Sequence, residues 1–140
     1  ALFFTSPQSK LSGEEVTAWR LWVRMHQSRI LLSAVTIMEV RYGLERLKAR
    51  GATSKSAALA KWLLITETIY RGRIVWVSPE IAHRAGEMLA QAEKAGLTPG
   101  AEDALIAASA AVSRYLLVAR NERHMRAFDI EWENPLRITS

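Results

Sequence analysis

Apolar positions along this chain follow two rhythms that trade places. Stretches in which they return every three or four residues predict helices, and short unbroken runs between those stretches predict buried strands. The first helix is predicted from about Gly13 to His26. It is opened by Ser12-Gly13-Glu14-Glu15, which sets a capping hydroxyl three residues ahead of Glu15, and it carries Val16, Trp19, Trp22 and Val23 on one face. Ile30-Leu31-Leu32 reads as a strand. Helical spacing resumes from Ser33 to Lys48, with Val35, Met38, Tyr42 and Leu44 or Leu47 on the apolar side, Glu45, Arg46 and Lys48 in solvent, and Gly51 marking the end. A helix from Ala57 to Tyr70, a strand at Ile74-Val75-Trp76-Val77 and a helix opened by Ser78-Pro79-Glu80 and stopped at Gly96 come next. Thr98-Pro99-Gly100 turns into an apolar helix over Ala101 to Ser113. Tyr115 to Ala119 then reads as a strand, Glu122 to Phe128 as a short helix, and Ile130 to Trp132 as an edge strand.

Short apolar strands alternating with helices imply an α/β fold, a mainly parallel sheet covered by helices on both faces. In such sheets the chemistry sits beyond the carboxyl ends of the strands. The 140 residues fit one domain spanning 1–140, with no internal repeat, linker or low-complexity tract. Hydrophobic residues at 49% and charged residues at 24% describe an ordinary folded protein and exclude a disordered one.

Composition removes several chemistries. The absence of cysteine excludes disulfides, thiolate zinc sites and cysteine nucleophiles. The three histidines, His26, His83 and His124, lie too far apart in sequence for any local zinc motif. The formal charge of +5 is spread along the chain and suits either a polyanionic partner or a plain basic surface. The longest apolar run, in Ala104 to Val112, is interrupted by Ser109 and is too short to span a membrane. Ala1-Leu2-Phe3-Phe4 lacks the charged lead and the length of a signal peptide, so a cytoplasmic location with no membrane partner is expected.

Three polar features interrupt the apolar elements. Glu39 lies within Ala34 to Val40, where a carboxylate must be paired, with Arg41 or another base, or must hold a cation. Asp103, with Glu102 beside it, opens the apolar helix, and it complements the helix dipole there or serves as a ligand. Arg120-Asn121 follows the strand Leu116-Leu117-Val118, where an asparagine is either an N-cap or a functional group. Taken singly, each has a purely structural account. Taken together, all three fall at one edge of the sheet, and oxygen donors without imidazole or thiolate suit magnesium or manganese. Of the five tryptophans, Trp19, Trp22, Trp62 and Trp76 stand at core or interface spacing, which favours packing over base stacking.

Three stretches carry a resemblance to the PIN-domain family, specifically its VapC-like and FitB-like toxins. Leu32-Ser33-Ala34-Val35-Thr36-Ile37-Met38-Glu39-Val40-Arg41-Tyr42-Gly43 resembles the family's "LSAxTxxElryG" segment, and Ala101-Glu102-Asp103-Ala104-Leu105-Ile106-Ala107-Ala108 resembles its "aDalIAA" segment. Val118-Ala119-Arg120-Asn121, with Asn134-Pro135 later, resembles its "aTRN...NP" ending. The order and spacing agree from Val16 to Pro135.

The resemblance implies a PIN-like three-layer sandwich and a metal-dependent endoribonuclease toxin of a type II toxin-antitoxin system. Glu39, Asp103 and Asn121 would hold Mg2+ or Mn2+, and Arg120 and Arg41 would meet the RNA backbone. It further implies a homodimer, with Trp22, Trp62 and Leu47 as candidates for its apolar surface. A small cognate antitoxin is implied as well, through which operator DNA is reached. The front of the chain departs from the pattern. Counting back from Trp19, Ala1 falls just after the family's "DTNvlS" motif, so the first strand and its metal-binding aspartate are expected to be missing, with Thr5-Ser6 a weak substitute. That departure reads either as a truncated start or as a natural loss of catalysis, and the second gives the alternative of a catalytically inactive PIN-like module that dimerises and binds an antitoxin.

Overall fold

A computed structural model describes residues 2–4, 13–118, 128 and 132–133. Five strands form one parallel sheet: β1 (Leu2–Phe4), β2 (Ile30–Ser33), β3 (Ile74–Val75), β4 (Leu116–Val118) and β5 (Trp132–Glu133), in the order β3-β2-β1-β4-β5. Five helices lie between them in sequence: α1 (Gly13–His26), α2 (Ala34–Ala49), α3 (Thr53–Ile69), α4 (Pro79–Lys94) and α5 (Ala101–Ser113).

The first strand is present, which corrects the expectation that it is missing. Leu2–Phe4 occupies the centre of the sheet, pairing Phe4 with Leu32 on one side and with Val118 on the other. A central parallel strand is specified by little more than a short apolar run, and Leu-Phe-Phe supplies one without the alternation that marks a half-exposed strand.

Alternation along β2 builds the layers. Ile30 and Leu32 join Trp22 of α1 and Tyr70 in one buried cluster, with Ile74 packed against it. Leu31 and Val75 turn to the opposite face, against a second cluster made of Val35, Ile81, Ala85, Met88, Ile106, Ala107 and Phe128. Successive strand residues point to opposite faces, so two clusters divided by one sheet make a three-layer α/β sandwich.

Local rules account for most of the helices. Ser78 Oγ accepts a hydrogen bond from the Ile81 N–H at 3.2 Å with Pro79 in the first turn, and α4 then buries Ile81, Ala85, Met88 and Ala92 as one stripe. That stripe meets α5, whose buried alanines let the two helices approach closely. Arg114 ends α5 in the left-handed region at φ 59°. At the other side of the sheet Arg73 donates to the carbonyls of Gln27, Ile30 and Ile69, which ties the turn before β2 to the end of α3.

Several sequence expectations shift. Met38 and Tyr42 are exposed and only Val35, Thr36 and Leu44 of α2 are buried, because α2 meets its neighbours over a narrower arc than its apolar spacing implies. The strand expected through Val77 stops at Val75, and Trp76, at the sheet's edge, is 76% exposed and not packed. Trp22 is buried and stacks on His26 at 4.5 Å, so it offers no outer surface. The C-terminal strand falls at Trp132–Glu133. The expected helix at 122–128, together with Arg120 and Asn121, lies outside the described residues except for Phe128, and the side chains of Val16 and Trp19 lie outside those described.

Candidate active site

The chain runs outward from β1 through β2 to β3, then returns to place β4 on the other side of β1. A reversal of this kind opens a crevice at the carboxyl ends of the central strands. Two helices bring acids toward that edge. Ser33, the last residue of β2, caps α2 by accepting the Val35 N–H at 3.1 Å, and Glu39 follows between one and two turns later. α5 begins at Ala101 after Gly100 and carries Glu102 and Asp103 in its first turn. Val35 and Ala104 share one buried cluster, so the start of α2 lies against the start of α5.

The two acids of α5 fold back over the helix start. A side-chain carbon built at Gly100 would sit 3.2 Å from Glu102 Oε2 and 3.7 Å from Asp103 Oδ2. Free N–H groups and the positive end of the helix dipole favour negative charge at that position.

Glu39 is half-buried, and its carboxyl is pushed up to about 7, first by burial and then by the charges of Asp103 and Glu102. No hydrogen bond or ion pair to Glu39 is made among the described residues. Arg41, the base expected to neutralise it, faces away: its Nη1 lies 3.4 Å from Glu45 Oε1 on the surface, where Lys48 Nζ also reaches the same oxygen at 3.4 Å. The ion-pair account of Glu39 through Arg41 is therefore corrected. Arg41 and Glu39 diverge because neighbours two apart on a helix do not face each other, whereas Arg41 and Glu45, four apart, do.

The structure thus brings Glu39 and Asp103 within electrostatic reach of each other, with Glu102 as a more exposed third charge. Carboxylates that repel one another are the kind of donor a hard divalent cation prefers. The set is thin. No group of three or more acids or histidines suited to a metal occurs among the described residues, and the first acid in the sequence is Glu14, so Phe4 of the central strand is followed by Thr5-Ser6 and not by a carboxylate. Sequence reasoning gave no role to Thr36, which is buried within the same turns of α2 and whose hydroxyl has no partner among the described residues. Its signals were a polar residue within the otherwise apolar turn before Glu39 and its match to the threonine of the "LSAxTxxElryG" segment.

A groove of about 450 Å³ lies elsewhere, between α3 and the edge strand, lined by Leu64, Arg71, Ile74 and Trp76 among others, and it includes none of the predicted site residues. Among the described residues no helix is long and apolar enough to cross a membrane.

A family model for the PIN domain matches residues 11–130. No curated protein sequence matches. Among solved structures, FitAB bound to an IR36 DNA fragment superimposes with a TM-score of 0.78 at 21% identity, covering 97% of this chain and 96% of that one. FitAcB from Neisseria gonorrhoeae gives 0.78 at 23% identity, covering 96% and 98%. VapBC2 from Rickettsia felis, bound to a DNA fragment from its promoter, gives 0.71 at 20% identity, again covering 96% and 98%.

Proposed function

The chain belongs to the PIN-domain family, and from that premise we propose that it is a metal-dependent endoribonuclease, the toxin of a cytoplasmic type II toxin-antitoxin pair. The observation that carries the proposal is the nearness of Glu39 to Asp103 at the crevice edge, where burial and the neighbouring charges push the Glu39 carboxyl up to about 7 and no base among the described residues relieves it. In this reading Glu39 and Asp103 hold Mg2+ or Mn2+, and Asn121 adds an amide oxygen. A bound divalent cation supplies charge neutralisation at the phosphate and activation of a water for in-line attack. Arg120 steers the RNA backbone. Arg41 joins it, because a surface pair such as that with Glu45 is worth little and exchanges readily for a phosphate.

The partners follow from the same premise. Structures of FitAB and VapBC2 bound to DNA support assembly with a small antitoxin that reaches operator DNA. A homodimer would use the outer face of α3, where Trp62, Ile65 and Ile69 stand exposed at helical spacing beside Leu64. This face replaces the one expected around Trp22.

The lack of any carboxylate in residues 1–13 favours a second reading, a PIN module that binds its antitoxin without cleaving RNA. One experiment separates the two. Wild type, Asp103→Asn and Thr5→Asp are assayed on fluorescent single-stranded RNA with and without Mn2+. Cleavage by the wild type that is lost in Asp103→Asn supports the enzyme. Cleavage that appears only in Thr5→Asp supports a binding module that lacks one acid, and cleavage undiminished in Asp103→Asn overturns the site.

A further inference from the structure

The two edges of the sheet are finished differently. β5 contains Glu133, is preceded by Glu131 and is followed by Pro135, residue types that keep an edge strand from pairing with another chain. β3 and the residues after it, Ile74-Val75-Trp76-Val77, hold neither a charge nor a proline. Of the two edges, β3 is the one left open to a further strand.

Its inner pairing fixes what it presents outward. Leu32 lies opposite Ile74, and the Leu32 N–H donates to the Arg73 carbonyl at 3.0 Å, so Arg73 and Val75 face β2. Residues alternate in a parallel ladder, which turns both the N–H and the C=O of Ile74 toward the open edge. There lies the groove of about 450 Å³ beside α3, lined by Leu64, Glu67, Arg71, Ile74 and Trp76 among others. Leu64 is 66% exposed and Trp76 76%. Adjoining apolar side chains left this open to water mark a contact surface.

The charges of the groove select its occupant. Glu67 lies in the last turn of α3 and Arg71 just past it, yet the ion pairs among the described residues are those of Arg41, Lys48 and Arg84, and neither Glu67 nor Arg71 takes part in one. An RNA strand would meet Glu67 as a like charge. A surface with one acid, one base, apolar side chains and an outward backbone donor and acceptor is instead complementary to itself. A two-fold axis brings residue i onto j and j onto i at once. Glu67 then meets Arg71 of the second copy twice over, and Ile74 meets Ile74 in an antiparallel pair that exchanges both N–H···O bonds.

We propose that a second copy of this chain docks antiparallel on β3, joining the two sheets through Ile74, covering Leu64 and Trp76, and crossing Glu67 with Arg71 between copies. The proposal rests on the homodimer reading and gives it a contact, continuous through Leu64 with the exposed face of α3; it draws on neither RNA cleavage nor a metal.

Sedimentation equilibrium of the full chain over a concentration series tests it, for wild type, Glu67→Arg, Arg71→Glu, Trp76→Ser and an equimolar mixture of the two charge reversals. Wild type should dimerise. Each reversal sets like charges against each other at both crossings and should raise the dimer Kd by about tenfold or more, and Trp76→Ser should weaken the dimer as well. The mixture restores opposite charges at both crossings, so a heterodimer of wild-type affinity should form, a repair that poor folding of either variant would not give. Monomeric wild type overturns the homodimer reading and the proposal with it. A dimer that all three variants leave unweakened overturns β3 as the contact and leaves the homodimer standing on another face. Weakening by the reversals that mixing does not repair overturns the two-fold crossing of Glu67 and Arg71.

Discussion

Replacing Glu39 with Gln should make the metal-free protein more stable at pH 8 and leave it almost unchanged near pH 5. The Glu39 carboxyl sits at about 7 in the folded protein against an ordinary value of 4.5, raised by burial, by Asp103 and by Glu102. For a group sealed from water that difference corresponds to roughly 3 kcal/mol. Glu39 is only half-buried, and solvent screening brings the figure down to about 1–2 kcal/mol. Between pH 4.5 and 7 the unfolded chain has already released this proton while the folded chain still holds it. Stability therefore falls as pH rises through that window, and the loss is complete above it. Gln carries no charge to desolvate or repel, so Glu39→Gln should melt higher than wild type at pH 8 by on the order of 3–8 °C. Calorimetric melts of both proteins from pH 5 to 8 measure the gap directly. Saturating Mn2+ should then reverse the order, since a ligand at about 100 times its Kd adds roughly 2.7 kcal/mol to the protein that binds it. A gap of equal size at pH 5 and pH 8, or a variant that melts below wild type at pH 8, would refute the account of burial and repulsion.

Two other outcomes follow from the geometry. Asp103→Asn should lower the Glu39 titration midpoint from about 7 without restoring its ordinary value, because burial is the larger cause and remains; side-chain carboxyl NMR across pH reads this, and an unmoved midpoint would remove Asp103 from the site. Ser78→Ala should cost about 1 kcal/mol in urea unfolding, since the Ile81 N–H loses its acceptor at the start of α4, and the loss should be the same with and without Mn2+.

Glu39 and Asp103 were legible as candidates because an acid within an apolar helix, or at its first turn, breaks a pattern that is otherwise consistent. Which role Glu39 plays was not legible, since Arg41 stands two residues away in sequence and only the helix shows that it faces Glu45. Trp22 and Trp76 have the same chemistry and similar local spacing. One is sealed between α1 and the sheet, and the other is left on an edge where no further strand among the described residues covers it. Thr36 stood in a matched segment of the sequence, but only the surrounding packing shows that its hydroxyl is buried with no partner among the described residues.

The sequence by itself determined the alternation of helices and strands, the helix start at Ser78-Pro79, and the order of the acids along the chain, because these depend on periodicity and on groups a few residues apart. Tertiary structure alone decided that Leu2–Phe4 lies at the centre of the sheet and that α2 and α5 bring Glu39 and Asp103 together. Those outcomes depend on contacts between residues tens of positions apart. Such contacts form only when separate apolar faces bury one another, and no local spacing encodes where that burial leaves a charge.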